Sequence, residues 1–313
     1  WLAARAAAQP DRALPVGAAR EAAPIAVNAL AALAWLAGGS QLERGPHGEA
    51  LAGVIEWLLA RVDLVEGSPK RGYVSDPGDA LSRMHGHGFA TLALAEAFAI
   101  SPASPRGRRI ELALLEAVDR IERSQHSTGG WGYEPIGGLL HEGSVTICVV
   151  QALRAARNSG IRVDPGVVGR AIDYVRKSQK SDGSFKYSLA DERSSVALTA
   201  AAVSTLNAAG DYSSPAVSAG FDYLFRELAA REAGAGTPPD WPMYERLYLA
   251  QAFWQHEDEA VFARWYDRVL LELLREQNED GSWASERYGS AYATAMACLV
   301  LALPEQLLPI FQR

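Results

Sequence analysis

The sequence predicts an all-α fold, an (α/α)6 toroid of six helical hairpins with clips between neighbours. Three observations carry this. Gln, three residues, Gly, one residue and an aromatic recur as "QHSTGGW" (125–131), "QKSDGSF" (179–185) and "QNEDGSW" (277–283). Gln125 and Gln179 are 54 residues apart, and Gln179 and Gln277 are 98 apart, close to two further units. A period of this size marks an array of helical pairs. Between the motifs, helices with one charged face alternate with helices that carry almost no charge.

The half-wet helices fall near 1–9, 46–62, 105–124, 165–178, 215–231 and 259–277. In "RGRRIELALLEAVDRIERSQ" (106–125), Ile110, Leu114, Ala117, Val118 and Ile121 form one stripe with Arg and Glu opposite. The dry helices fall near 24–37, 85–99, 143–158, 194–209, 243–256 and 288–303. A helix apolar all round belongs inside, and one with a single apolar stripe outside. Two units have worn motifs: 48–74 keeps its helix and a closing "GYV", and 214–234 keeps only the helix. Open solenoids end in polar capping repeats. Here the last dry stretch, "GSAYATAMACLVLAL" (289–303), is as apolar as the middle ones, so the ring is expected to close. Residues 1–313 read as one domain. The chain opens within a helix and without Met, which reads as truncation or processing upstream of Trp1.

The repeated motif reads as a structural clip. Gly129, Gly183 and Gly281 supply a tight turn that needs positive φ. The amides of Gln125, Gln179 and Gln277 can satisfy backbone groups left open at helix ends. Trp131, Phe185 and Trp283 pack across the loop and shield those bonds.

Composition narrows the function classes. Of 313 residues 49% are apolar and the net charge is −7, which argues against a nucleic-acid binder. The two cysteines, Cys148 and Cys298, form no spaced cluster, so neither a metal nor another cofactor is expected. The uncharged stretch "AAPIAVNALAALAWLAGGSQ" (22–41) is broken by Pro, Asn and small residues and reads as a buried helix, not a membrane span. The protein is expected to be soluble, either cytoplasmic or exported after loss of a signal.

The three motifs resemble the QW motif of terpenoid cyclases. The whole chain is similar to the superfamily of squalene cyclases and protein prenyltransferase β subunits. It is more closely similar to bacterial prenyltransferase and squalene oxidase repeat proteins, through "MHGHGFATLALAEAF" (84–98), "SVTICVVQALRAARNSGI" (144–161), "YLAQAFWQ" (248–255) and "YATAMACLVLALPEQLLPIFQR" (292–313). The resemblance implies the (α/α)6 toroid and a central cavity, without implying a reaction. The chain departs from both known chemistries. The DxDD acid of class II cyclases is missing, "DPGD" (76–79) and "HEDE" (256–259) being the nearest stretches. The prenyltransferase zinc set is missing too, since Cys148 lacks an Asp two residues before it. The chain is also about half the length of a squalene cyclase.

Residues at the starts of the inner helices face the expected mouth of the ring. Those with catalytic chemistry are His85 and His87 in "MHGHG" and Glu142 in "HEGSVT". His is a common general base or metal ligand, and an inward carboxyl suits acid–base work. A ligand lining is expected from His141, Ser144, Thr146, Arg193, Tyr244, Tyr248, Trp254, Tyr288 and Tyr292. Aromatic walls suit an apolar, isoprenoid-like guest and stabilise cations. Two alternatives are a non-catalytic scaffold for a protein or peptide partner, and an (α/α)6 carbohydrate-active enzyme. The second needs paired carboxylates, which Glu142 with Asp191, Glu192 or Glu245 would supply.

Overall fold

Helix starts are set by short capping side chains and by proline. Ser104, Asp164, Ser195, Ser214 and Asp258 each accept a hydrogen bond from a backbone amide in the first turn of the helix they open, which satisfies donors the helix cannot pair. Five helices carry Pro at the first positions, where a missing N–H costs nothing. The computed structural model describes residues 1–15, 21–80, 83–136 and 141–312, so Arg313 lies outside it.

Among the described residues there are twelve α-helices. The outer ones are α1 (Leu2–Ala7), α3 (Gly48–Leu59), α5 (Pro105–Arg123), α7 (Pro165–Lys177), α9 (Pro215–Glu232) and α11 (Glu259–Glu276). The inner ones are α2 (Pro24–Ala37), α4 (Arg83–Ile100), α6 (Gly143–Asn158), α8 (Val196–Ala208), α10 (Pro242–Trp254) and α12 (Gly289–Ala302). Each inner helix packs on the next, α2 on α4, α4 on α6, α6 on α8, α8 on α10 and α10 on α12. Then α12 packs on α2, and the ring closes. All fourteen residues of α2 are buried, as its lack of charge requires. The sequence did not suggest the short hairpin of β1 (Lys186–Ser188) and β2 (Asp191–Ser194), which stands between α7 and α8.

The clips work at the atomic level. Gln125 donates from Nε2 to the carbonyls of Gly129 (2.8 Å) and of Val167 in the first turn of α7 (2.9 Å). Gln179 does the same to Gly183 (3.2 Å) and to Ala216 in α9 (2.7 Å). Each amide thus ties its own loop to the next outer helix. The aromatic then ties the loop inward. The amides of Trp131, Phe185 and Trp283 donate to the hydroxyls of Thr146, Thr199 and Thr294 on the following inner helices. The indoles of Trp131 and Trp283 donate to the Ile121 and Leu273 carbonyls, each at 2.8 Å.

The axis of the ring is not an open tube. Gln151 of α6 donates to Gln251 of α10 at 2.6 Å, Ser204 of α8 donates to the same oxygen at 3.2 Å, and Tyr248 reaches Gln151 at 3.4 Å. This polar bar divides the interior into a mouth end, at the starts of the inner helices, and a far end. The far end is covered by two 3₁₀ turns at 303–305 and 309–311, the second of which packs on α6. Among the described residues no helix is long and apolar enough to cross a membrane.

Candidate functional site

Glu142 is delivered to the mouth by the clip that precedes it. Its amide donates to the Trp131 carbonyl at 2.8 Å, and the two residues form an antiparallel bridge. The extended backbone at Glu142 places it as the N-cap of α6, where its carboxylate accepts from the Val145 amide at 3.3 Å. The same carboxylate accepts from Ser144 Oγ at 2.6 Å, and Tyr187 on β1 is a further hydrogen-bond partner. Only 4% of Glu142 is exposed, and burial pushes its pKa up against the opposing pull of these donors. The site therefore favours a neutral acid more than water does.

Ser144 carries the connection to a histidine. Its Oγ lies 3.0 Å from His85 Nε2 at the start of α4. Burial lowers the pKa of His85 to about 4, so the ring is neutral near pH 7. Carboxyl, hydroxyl and imidazole form a three-member chain in which a proton can move between Glu142 and His85 through Ser144. The His85 ring also faces Tyr133, with centroids 6.4 Å apart, and the Tyr133 hydroxyl pairs with that of Tyr187.

Aromatic rings surround this chain. Tyr244 packs against Tyr248 (4.6 Å between centroids), Tyr288 against Tyr292 (5.0 Å) and Trp241 against Tyr288 (5.8 Å). Burial raises the pKa of every one of these phenols, so they remain neutral donors. His85, Ser144, Tyr244 and Tyr292 each keep some accessible surface although they sit on inner helices.

The structure thus groups His85, Glu142, Ser144, Tyr244, Tyr248, Tyr288 and Tyr292, and it gives the other expected residues different partners. His87 is fully buried, accepts from the Val74 amide at Nδ1 (3.2 Å), and packs on Tyr73. The turn of helix between His85 and His87 sends the two rings to different sides, as their spacing in a helix demands. Thr146 is fully buried and spends its hydroxyl on the Trp131 amide and the Glu142 carbonyl. His141 faces Tyr174, with Nδ1 2.9 Å from the phenol, and His126. Arg193 sits exposed on the rim, paired with Asp191. Trp254 lies at the far end, edge-on to Phe262. Cys148 is buried against the α4 backbone: a Cβ on Gly88 would meet its Sγ at 2.8 Å. Among the described residues no three His, Cys, Asp or Glu are grouped to hold a metal.

Sequence reasoning missed Tyr133 and Tyr187. A signal was present, because each stands two residues after a clip aromatic, in "WGY" and "FKY". The two stretches "DPGD" and "HEDE" have structural work. Asp76 pairs with Arg61 at 2.7 Å, Asp79 accepts from the Ile25 amide at the start of α2, and Asp258 caps α11.

No protein-family model and no curated protein matches the chain. Solved structures do. The type II terpene cyclase MstE from Scytonema aligns over 91% of this chain and 89% of its own, with 16% identity and a TM-score of 0.57. A variant of that cyclase is known in complex with geranylgeranyl dihydroxybenzoate. A GH76 alpha-mannanase from Bacteroides thetaiotaomicron aligns over 89% of this chain and 84% of its own, with 11% identity and a TM-score of 0.61. Cellobiose 2-epimerase from Bacillus thermoamylovorans aligns over 89% and 86%, with 13% identity and a TM-score of 0.61. The chain shares the closed α/α ring of terpene cyclases and of (α/α)6 carbohydrate-active enzymes.

Proposed function

We propose that residues 1–313 act as one toroid domain whose mouth binds an apolar, isoprenoid-like ligand, with Glu142 as the acid that meets it. The observation that carries this reading is the buried carboxyl of Glu142, wired through Ser144 to a neutral His85 and enclosed by tyrosine rings. Burial favours the protonated form of Glu142, and a protonated carboxyl beside aromatic rings can protonate an apolar guest, with ring faces stabilising the cation that results. His85, neutral near pH 7, would take a proton from a carbon next to the cationic centre, leaving an alkene, and pass it back to Glu142 through Ser144. His87 and Thr146 hold the frame, and Arg193 borders the entrance. The clips are read as QW-type elements whose role is to position this acid.

The likeness to the mannanase and the epimerase supports a second reading, a carbohydrate-active site. That chemistry needs a second free carboxylate across the cleft from Glu142. Asp191 is held by Arg193, Glu192 by Lys186 and Glu245 by Arg231, so each of the three is already engaged. The apolar reading stands ahead for this reason.

The test uses geranylgeraniol as probe, with binding followed by intrinsic fluorescence and products by mass spectrometry. Wild type is expected to bind and convert it, and Glu142→Gln to bind without conversion. Absence of binding by the wild type would overturn the apolar-ligand reading. Unchanged conversion by Glu142→Gln would remove Glu142 as the acid.

A further inference from the structure

Away from the mouth, α6, α7 and α8 enclose a groove of about 410 Å3, within the range of small-molecule sites. Its apolar wall is formed by Val150, Leu153, Val168 and Ile172, of which Leu153 is fully buried. Three arginines, Arg154, Arg157 and Arg176, stand at its edge against one carboxylate, Asp173. Arg176 is already paired with Asp211 at 2.9 Å.

Arg154 is the unusual member. It is half-buried on an inner helix and borders both this groove and the small far-end cavity beneath the 309–311 turn. No carboxylate among the described residues lies within ion-pair distance of its guanidinium. The phenol of Tyr212 and the buried carboxyl of Glu96 act on it only at longer range. A cation withdrawn from water without a partner is costly. A guanidinium beside an apolar wall is the arrangement that recognises an oxyanion on a hydrocarbon chain. Gly169 marks the open side of the groove: a Cβ there would meet nothing within 4 Å.

We propose that this groove is a binding site for a single-chain amphiphilic oxyanion, its head held by Arg154 and Arg157 and its chain laid along Val150, Leu153, Val168 and Ile172. The site is separate from the mouth and does not depend on the reading of Glu142. The shared chemistry fits a long-chain carboxylate or an alkyl phosphate.

Isothermal titration with decanoate, decyl phosphate and the uncharged decanol tests it. At least one anion binds at a single site, and decanol binds about tenfold more weakly or worse, since it lacks the charge-assisted bonds. The tighter of the two anions identifies the head group. Gly169→Leu fills the groove from a helical position with free space, so binding is lost while the melting temperature holds or rises. Arg154→Gln erases the preference for the anions over decanol. Failure of both anions to bind, equal binding of decanol, or unchanged affinity in Gly169→Leu would each overturn the proposal.

Discussion

The clip at 125–131 and the clip at 277–283 share a sequence pattern and differ in what they hold. Gln125 donates to its own loop and to α7, and its Oε1 accepts from Arg170 at 2.9 Å. Gln277 donates to the Gly281 carbonyl at 3.0 Å, within its own loop. Gly129 and Gly281 both have positive φ, +97° and +84°. A Cβ on Gly129 would lie 2.2 Å from the Arg170 carbonyl, whereas a Cβ on Gly281 would meet only its own Gln277, at 4.0 Å. The first glycine is required by a neighbour and the second by its turn alone. A repeated motif therefore encodes the local turn, and the work it does depends on what packs beside it.

The largest effect expected from this contrast is Gly129→Ala, destabilising by about 3–5 kcal/mol because the left-handed backbone and a backbone clash add. Chemical denaturation measures it, and a loss below about 2 kcal/mol, no more than the left-handed backbone alone costs, would show that α7 yields easily. Gln125→Ala follows at about 1–3 kcal/mol, since two carbonyls lose their donor. Gly281→Ala is expected to cost about 1–2 kcal/mol, from conformation only. Gln277→Ala comes near 0.5–1 kcal/mol (about one exposed hydrogen bond). Equal costs at the two glutamines would erase the distinction between the clips.

A pH effect stands apart from this series. Past the 277–283 clip, the chain runs through α12 to Ile310, whose amide faces Glu96 on α4. Burial raises the pKa of Glu96 from 4.5 to about 7. A carboxyl raised by folding binds more protons when folded, so its contribution is intact below about pH 4.5 and is lost as pH rises through about 7. Glu96→Gln is expected to flatten the fall in melting temperature across this window. An unchanged slope would show that Glu96 is hydrated or paired in solution.

The ring was legible in the sequence because dryness is a property of whole helices. The inner stretch read at 24–37 is α2 to the residue, and 85–99 falls within α4 (Arg83–Ile100). The β1–β2 hairpin escaped because it is polar and short, with no apolar alternation to mark a buried face. The site was legible only in part. Glu142 and His85 stood out as polar residues at inner-helix starts, but their link through Ser144 depends on the lateral packing of α4 on α6, which periodicity does not encode. His87 looked equivalent to His85, and only the helical rotation between them separates the two. The mid-ring Gln151 and Gln251 sit 100 residues apart, and nothing local in either helix foretells their bond.

The closing contact of α2 with α12 has a consequence for how the chain is made. Most neighbours in the ring are one repeat apart, so each hairpin can settle on the one before it as synthesis proceeds. The last joint brings Pro24 and Gly289 helices together across nearly the whole chain. Loop closure on that scale is slow compared with local pairing. Until α12 leaves the ribosome, the uncharged α2 has one side uncovered. The growing polypeptide is therefore an open crescent with exposed apolar surface, the kind of species that aggregates, until α12 arrives.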